Sequence, residues 1–390
     1  MTLAALGRRR RWPTPFTATK PSFMAIGKKS GLLIAGGGLA GSLAALAMAK
    51  LRPDVPLILY GEQGRFGGRD GWTIFESELS EEERTLVEPF VSHRWAGYYV
   101  AFPGGSRNLK APCLRIAPER IDTALRKMLP PERIVAKARI VAVRDDSVLL
   151  HGGEKIVADA AIDAREAANW SMLDLAWRRY AARDLTFSAP HRVDRPVLVD
   201  ATMADGDFAA CLPLGEARMR VGRFSYGRDA GIPAAEADGI DAYVRARGWQ
   251  VTKSKAREAG AVPVALGGDF QGFWRLGGAR VAKLGPRGGL FNPLTGSPLG
   301  DALGAALLLT RQRDFSGAAL HDLFERHATE TWAKREFQRG FNAMLLRGGG
   351  SPAGRILERL YALDPALLAS FHSGRPGLLD RRRIMAAANL

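Results

Sequence analysis

Residues 32–49, LLIAGGGLAGSLAALAMA, are eighteen consecutive positions without a charge, and the order inside the run decides between two very different elements. Length alone suits a short membrane span, which needs about 17–25 apolar residues. Three successive glycines would weaken a spanning helix. A buried parallel strand followed by a tight turn and a helix uses them well. The pattern therefore predicts a strand at Leu32–Ala35, a turn through Gly36, Gly37 and Gly38, and a helix to about Leu51, with Gly41 completing G-x-G-x-x-G. In such a unit the first glycine makes the turn, the second admits a pyrophosphate, and the third packs helix on strand, while the helix N-terminus faces the anion. Gly36, Gly38 and Gly41, with Leu39 and Ala40 between them, are candidate dinucleotide ligands.

Beyond this run, PLILYG at 56–61 supplies a second strand, closing a β-α-β opening, and GRFGGRDGW at 64–72 reads as a glycine-rich loop. SELSEEERTLVEPF begins like a capped helix, with Ser77 or Ser80 ahead of a glutamate-rich first turn. Ile121, Leu125 and Leu129 recur every four residues and predict an amphipathic helix over 117–129. Residues 133–165 change to short β runs, with hairpins at Asp145-Asp146 and Gly152-Gly153 and a return strand ending in Asp163-Ala164-Arg165. Residues 166–280 mix strands (RPVLVDATM, ARMRVGRFSY) with a helix near 234–247, as a second, sheet-based domain inserted into the first. Residues 281–315 return the chain to the first domain through GLFNPLTGSPLGDALGAALLL, a glycine- and proline-rich turn opening a helix. The tail, 316–390, is helical, with Trp332, Phe337, Phe341, Leu357, Tyr361 and Phe371 as its large apolar residues. The expected domains are thus 30–165 with 281–315, then 166–280, then 316–390.

Composition narrows the function classes. A hydrophobic content of 46% with 25% charged residues is that of an ordinary globular protein. Two distant cysteines, Cys113 and Cys211, make no disulfide framework, and no Cys/His cluster suggests a metal; a reducing cytoplasm fits. The net charge of +16 includes seven charges from residues 1–29, a basic arm without acids that lies outside the predicted fold. Met24 is an alternative start for the chain. No aromatic-interleaved basic stripe or nucleic-acid module accompanies the remaining +9. That excess is read as attraction to an anionic membrane surface, the alternative being solubility alone.

Several segments together carry a resemblance: LLIAGGGLAGSLAA, the GG-x-x-x-W of Gly67 to Trp72, VDATM at 199–203 followed by CLPLGEARM, GLFNPLTG at 289–296, and LYALDPALLASFHSGRPGLLDRRRIM at 360–385. In this order they resemble the FAD-dependent hydroxylase-type flavoprotein fold, and within it bacterial lycopene β-cyclases of the CrtY type, over nearly everything from residue 31 to 386. The fold implied is α/β: a Rossmann-like FAD domain with an inserted β-sheet substrate domain and a helical tail. The implied activity is redox-neutral. A ψ-end of lycopene is protonated, a six-membered ring closes through a carbocation, and a proton is lost to give the β-ring. Reduced FAD is the implied cofactor, NAD(P)H its reductant, and lycopene or another acyclic carotenoid the substrate. A hydrocarbon dissolved in a bilayer implies a cytoplasmic protein held peripherally at the inner face of the cytoplasmic membrane.

The resemblance also implies site residues. An acid closing the second strand would hold the adenosine ribose; that position is Gly61, with Glu62 next to it as a substitute or as a solvated loop acid. Arg120 falls where the fold places an arginine near the flavin diphosphate, the alternative being an ordinary helix-surface arginine. Gly289, Asn292, Pro293, Thr295 and Gly296 correspond to a second flavin contact. Trp72 is a candidate pocket wall, or core. The family's general acid is an acidic pair, and here Gly222-Arg223 stands in its place. A glycine carries no proton, and an arginine beside a carbocation repels it. Asp200 and Asp70 are the remaining catalytic candidates, Asp200 also having a structural alternative. Three readings stay open: a cyclase with a relocated acid, a degenerate paralogue, and a flavin-dependent hydroxylase or reductase of a lipid or polyene.

Overall fold

The apolar residues of β1 (Leu32–Ala35) are buried on both faces, which a strand needs at the centre of a covered parallel sheet. It lies between β2 (Leu57–Tyr60) and β12 (Ala160–Asp163), and β8 (Ile134–Val135) and β19 (Ala282–Lys283) complete a five-stranded parallel sheet in the order β19-β12-β1-β2-β8. The structure is a computed structural model that describes residues 31–69, 71–166, 169–203, 207–231, 235–255, 258–347 and 350–388. The basic arm with Met24, and Asp70, lie outside the described residues.

Helix α1 (Leu39–Leu51) is buried almost all round, because the sheet, α3 (Pro118–Met128) and α6 (Leu299–Thr310) enclose it. The element following β3 (Trp72–Phe75) is a 3-10 turn at Glu76–Glu78, and helix α2 (Glu81–Val87) starts only at Ser80. Of the two predicted caps Ser80 is used: its Oγ accepts the Glu83 N–H and Glu83 answers to the Ser80 N–H, a reciprocal capping box. β3 joins β4 (Val91–Trp95) and β7 (Cys113–Ile116) in a small antiparallel sheet, and β9 (Ile140–Val143), β10 (Ser147–Leu150) and β11 (Lys155–Val157) form another through the two predicted hairpins.

The large sheet runs β17-β13-β16-β15-β14-β5-β6, with β18 (Glu258–Gly268) also pairing β13 (Leu173–Phe187). Its other members are β5 (Tyr98–Phe102), β6 (Gly105–Leu109), β14 (Val197–Asp200), β15 (Phe208–Gly215), β16 (Arg218–Gly227) and β17 (Val251–Ser254). Here the structure departs from the domain division above, which left 98–109 with the nucleotide domain. Tyr99, Val100 and Ala101 pair in parallel with β14, so this pair of strands extends the sheet of the inserted region. Parallel pairing between segments a hundred residues apart leaves no local pattern in the chain. One face of the sheet packs on α4 (Ala235–Ala246) through Ala181, Leu185, Val221 and Met219. The tail helices α8 (Glu336–Arg347), α9 (Gly350–Tyr361), α10 (Pro365–His372) and α11 (Leu378–Ala388) gather Phe341, Leu360, Phe371 and Ile384 with Tyr98 and Phe102 into a second core, whereas α7 (Gly317–Lys334) packs its Leu320, Phe324 and Ala328 into the core around the parallel sheet.

Candidate active site

The glycines of the first turn have different reasons to be glycine. A Cβ on Gly36 (φ +131°) would lie 2.4 Å from the Ala164 carbonyl carbon, and one on Gly41 1.9 Å from the Gly36 oxygen, so both are packing requirements. A Cβ on Gly38 would meet nothing within 4 Å. Gly38 is also the N-cap of α1 and provides no side-chain cap, so the N–H groups around Leu39 and Ala40 face that open space uncapped. Gly68 closes over it, its Cβ position 3.6 Å from the Leu39 nitrogen. The loop is pinned there by the Gly67 N–H, which donates to Ser42 Oγ (2.9 Å) and to the Gly37 oxygen (3.0 Å). An open, donor-lined cradle at a helix N-terminus fits a diphosphate. Glu62 is exposed just past β2, where its carboxylate accepts the Ile140 N–H at 3.4 Å. Arg120 is exposed on α3 and donates to the Val91 carbonyl.

Asp163 ends β12 fully buried, bonded to Arg165 at 2.9 Å through both oxygens and to Arg287 at 3.0 Å. Burial works to raise its pKa, but the hydrogen bonds and charges of the two arginines prevail and hold the carboxyl below its ordinary range. The clamp ties the parallel sheet to the second glycine-rich segment. In that segment Asn292 Oδ1 accepts the N–H groups of Leu294 (2.9 Å) and Thr295 (3.3 Å), and its Nδ2 donates to the His372 carbonyl at 3.1 Å. Asn342 donates to the Pro293 carbonyl at 2.6 Å, and Thr295 Oγ1 accepts the Ser297 N–H at 3.2 Å. Gly289 and Gly296 hold positive φ and are packed closely, against the Phe270 ring and the Pro263 carbonyl. Asn292 and Thr295 line the cavity described next; Gly289, Pro293 and Gly296 do not.

A cavity of about 600 Å³ lies between the large sheet, the 3-10 turn after β3 and the tail helices. Leu212, Phe224, Val262, Leu294, Leu345 and the half-buried Trp72 supply apolar wall. Two polar groups interrupt it. Arg115, Arg178 and Arg220 form one, and burial together with the Arg220 charge pushes Arg115 below the usual arginine value. The other contains Glu78, His372 and the Asp301–Arg335 pair, in which both carboxylate oxygens accept from the guanidinium at 2.7 Å. Burial lowers His372 to about 4, and its Nε2 has no hydrogen-bond partner among the described residues.

Gly222 lies on the cavity wall between Ala182 and Ala210. A Cβ there would be 3.5 Å from the Ala181 oxygen and the Ala182 Cβ, ordinary contact distances. Arg223 is buried, with Nε 2.8 Å and Nη2 2.6 Å from Asp207. Asp200, the first candidate acid, has a different setting from the one expected. It is fully buried and not part of the cavity wall, although its neighbours Leu198 and Val199 are. Its oxygens accept from Thr202 N (3.1 Å), Thr202 Oγ1 (2.6 Å), Tyr243 Oη (2.7 Å) and the Arg247 guanidinium. These bonds fasten α4 and the turn after it to the sheet. Glu78, Asp301 and the arginine group were not legible as site residues. Glu78 reads in sequence as one more acid of a glutamate-rich helix start.

Comparison with known proteins matches residues 31–388 to the family model described as lycopene cyclase protein. A lycopene beta-cyclase of Pantoea ananas is 31% identical over 360 residues, covering 91% of this chain and 94% of that protein. One of Pseudescherichia vulneris is 30% identical over 362 residues, covering 91% and 92%. Among solved structures, a geranylgeranyl bacteriochlorophyll reductase-like protein of Thermoplasma acidophilum superposes with a TM-score of 0.65 at 14% identity, covering 92% of this chain and 96% of that one. A flavin-dependent halogenase of Xanthomonas campestris gives 0.56 at 13% identity, covering 93% and 96%. At such identities the two structures share the fold with this chain.

Proposed function

The chain belongs to the lycopene cyclase family, and on that footing we propose that it is a β-cyclase of carotenoid biosynthesis, closing ψ-ends of lycopene to the β-rings of γ- and β-carotene. The reaction is an intramolecular one without net oxidation. A proton adds to C2 of the terminal alkene, the cation at C1 is captured by the C5–C6 double bond, and C6 then gives up a proton. The observation that carries the reading is the match over 31–388 on a chain whose inserted sheet and tail enclose a largely apolar cavity. Its size lies within the range of about 300–1,000 Å³ usual for small-molecule sites.

The cradle at Gly38 and Gly68 suits the diphosphate of FAD, with Gly36 and Gly41 shaping the turn, Leu39 and Ala40 presenting N–H groups, and Glu62 at the ribose. Arg120 would approach the diphosphate from α3. Gly289, Asn292, Pro293, Thr295 and Gly296 would form the second contact, of which Asn292 and Thr295 border the cavity. Bound there in its reduced form, with NAD(P)H as reductant, the cofactor supplies an electron-rich counter-charge to a carbocation. The protein's own part is to hold the polyene, exclude water and handle the protons.

The substrate is dissolved in lipid, and the start of α11 suits a membrane surface. Leu378 and Leu379 are 78% and 68% exposed, the most exposed of the large apolar residues described. Arg375, Arg381, Arg382 and Arg383 flank them along the chain, and Ser373, Gly374 and Arg375 belong to the cavity wall. Exposed apolar side chains in an arginine-rich segment next to the cavity fit an anionic bilayer at the inner face of the cytoplasmic membrane. Among the described residues no helix is long and apolar enough to cross it.

A second reading, a degenerate paralogue, is favoured by Gly222, where the family pattern has an acid. Expression in a lycopene-accumulating bacterium separates the two. Appearance of γ- or β-carotene supports the cyclase, and unchanged lycopene beside a soluble, flavin-containing protein overturns it.

A further inference from the structure

The family's acidic position is a glycine in this chain, so a cyclase needs its proton from another group on the cavity wall. Three carboxyl side chains among the described residues line that wall: Glu78, Glu83 and Asp301. Asp301 is held by both nitrogens of Arg335 at 2.7 Å, a bidentate pair that occupies both carboxylate oxygens. Glu83 is committed to the capping box of α2, its Oε2 2.8 Å from the Ser80 nitrogen. Glu78 is different. Its Oε1 accepts the Phe75 N–H at 3.0 Å, which fixes the side chain against the 3-10 turn, and its Oε2 has no partner among the described residues. The side chain is half-buried and lines the cavity.

From this placement we propose that Glu78 is the general acid of ring closure, delivering a proton from its carboxyl to C2 of the ψ-end. The inference rests on the cyclase reading above. The step balances: the C1–C2 double bond takes the proton, C1 bonds to C6, and the C6 proton returns to the Glu78 carboxylate as the C5–C6 double bond forms. No oxidant or reductant is consumed.

The environment supports the acid form. Burial raises Glu78 from its ordinary 4.5 to about 7, against the Phe75 N–H and the charges of Arg335 and Arg375, while Asp301 adds to the rise. Glu83, His327, Lys334 and His372 are the other ionisable groups on this part of the wall, from α2, α7 and α10. A carboxyl kept protonated near neutrality is what general acid catalysis requires.

The test compares wild type, Glu78→Gln and Glu78→Asp, as full-length proteins with FAD reduced in advance and lycopene in vesicles. Glu78→Gln should lose ring formation by about a hundredfold or more at unchanged flavin occupancy, with Glu78→Asp between it and wild type. The wild-type rate should fall as pH rises through about 7. A second readout follows stability. The folded state binds this proton more tightly than the unfolded chain, so the contribution is complete below about 4.5 and lost as pH rises through about 7. Glu78→Gln cannot ionise, so its Tm relative to wild type should climb across that interval. A Glu78→Gln variant that cyclises as fast as an active wild type overturns the proposal alone. A wild type that forms no ring overturns the cyclase reading and this proposal with it.

Discussion

Gly36 and Gly38 stand two positions apart in one turn, yet a side chain would do different harm at each. Gly36→Ala forces a methyl group into the Ala164 backbone and should destabilise the fold as well as empty it of flavin. Gly38→Val puts its side chain into open space and should lose flavin while keeping Tm within a few degrees of the cofactor-free wild type. Thermal melts beside flavin absorbance check both; full flavin occupancy in Gly38→Val would contradict the cradle. Asp200 belongs at this scale too. Asp200→Asn weakens the anchorage to Arg247 and Tyr243 and should cost about 1–3 kcal/mol in a denaturant titration, while the folded fraction still cyclises. Loss of ring formation at full stability would return Asp200 to the chemistry. The sequence could not settle this residue, since an acid at a strand end looks the same whether it faces a cavity or an arginine 47 positions later.

At the scale of elements, the parts with local signals were legible. The strand-turn-helix of residues 32–51, the Ser80 capping box, the amphipathic helix after Ala117 and the two hairpins each follow from neighbouring residues. The pairing of β5 with β14 was not, because it joins Tyr99 to Val197 across a hundred positions. Glu78 was hidden for a related reason: the run SELSEEER places several glutamates at one helix start, and no local pattern separates Glu78 and Glu83, which line the cavity, from the others. Helix α11 gives a prediction of its own. Replacing Leu378 and Leu379 with glutamate removes the exposed apolar pair and adds like charge to the membrane. Co-sedimentation with phosphatidylglycerol vesicles should weaken by about tenfold or more, burial of one leucine alone being worth roughly 1.5–3 kcal/mol when complete. Binding of wild type should also fall with salt. Equal sedimentation of variant and wild type would place the membrane contact elsewhere.

For the whole molecule, the second glycine-rich segment, the inserted sheet and the helical tail come together on one cavity, and Asn292 links the first to the last by reaching the His372 carbonyl at 3.1 Å. On the proposed reading a hydrocarbon is protonated, cyclised and deprotonated in that cavity with no net electron transfer. The most direct measurement is the mass of the product in D₂O, using purified protein with reduced FAD and lycopene in vesicles. Ring closure by an acid that exchanges with solvent adds one deuterium at C2 and removes one hydrogen at C6. Each ring formed should therefore raise the carotenoid mass by about one unit, with no stoichiometric NAD(P)H oxidation. Recovery of unchanged lycopene, or of an oxygenated or reduced product formed at the expense of NAD(P)H, would contradict it.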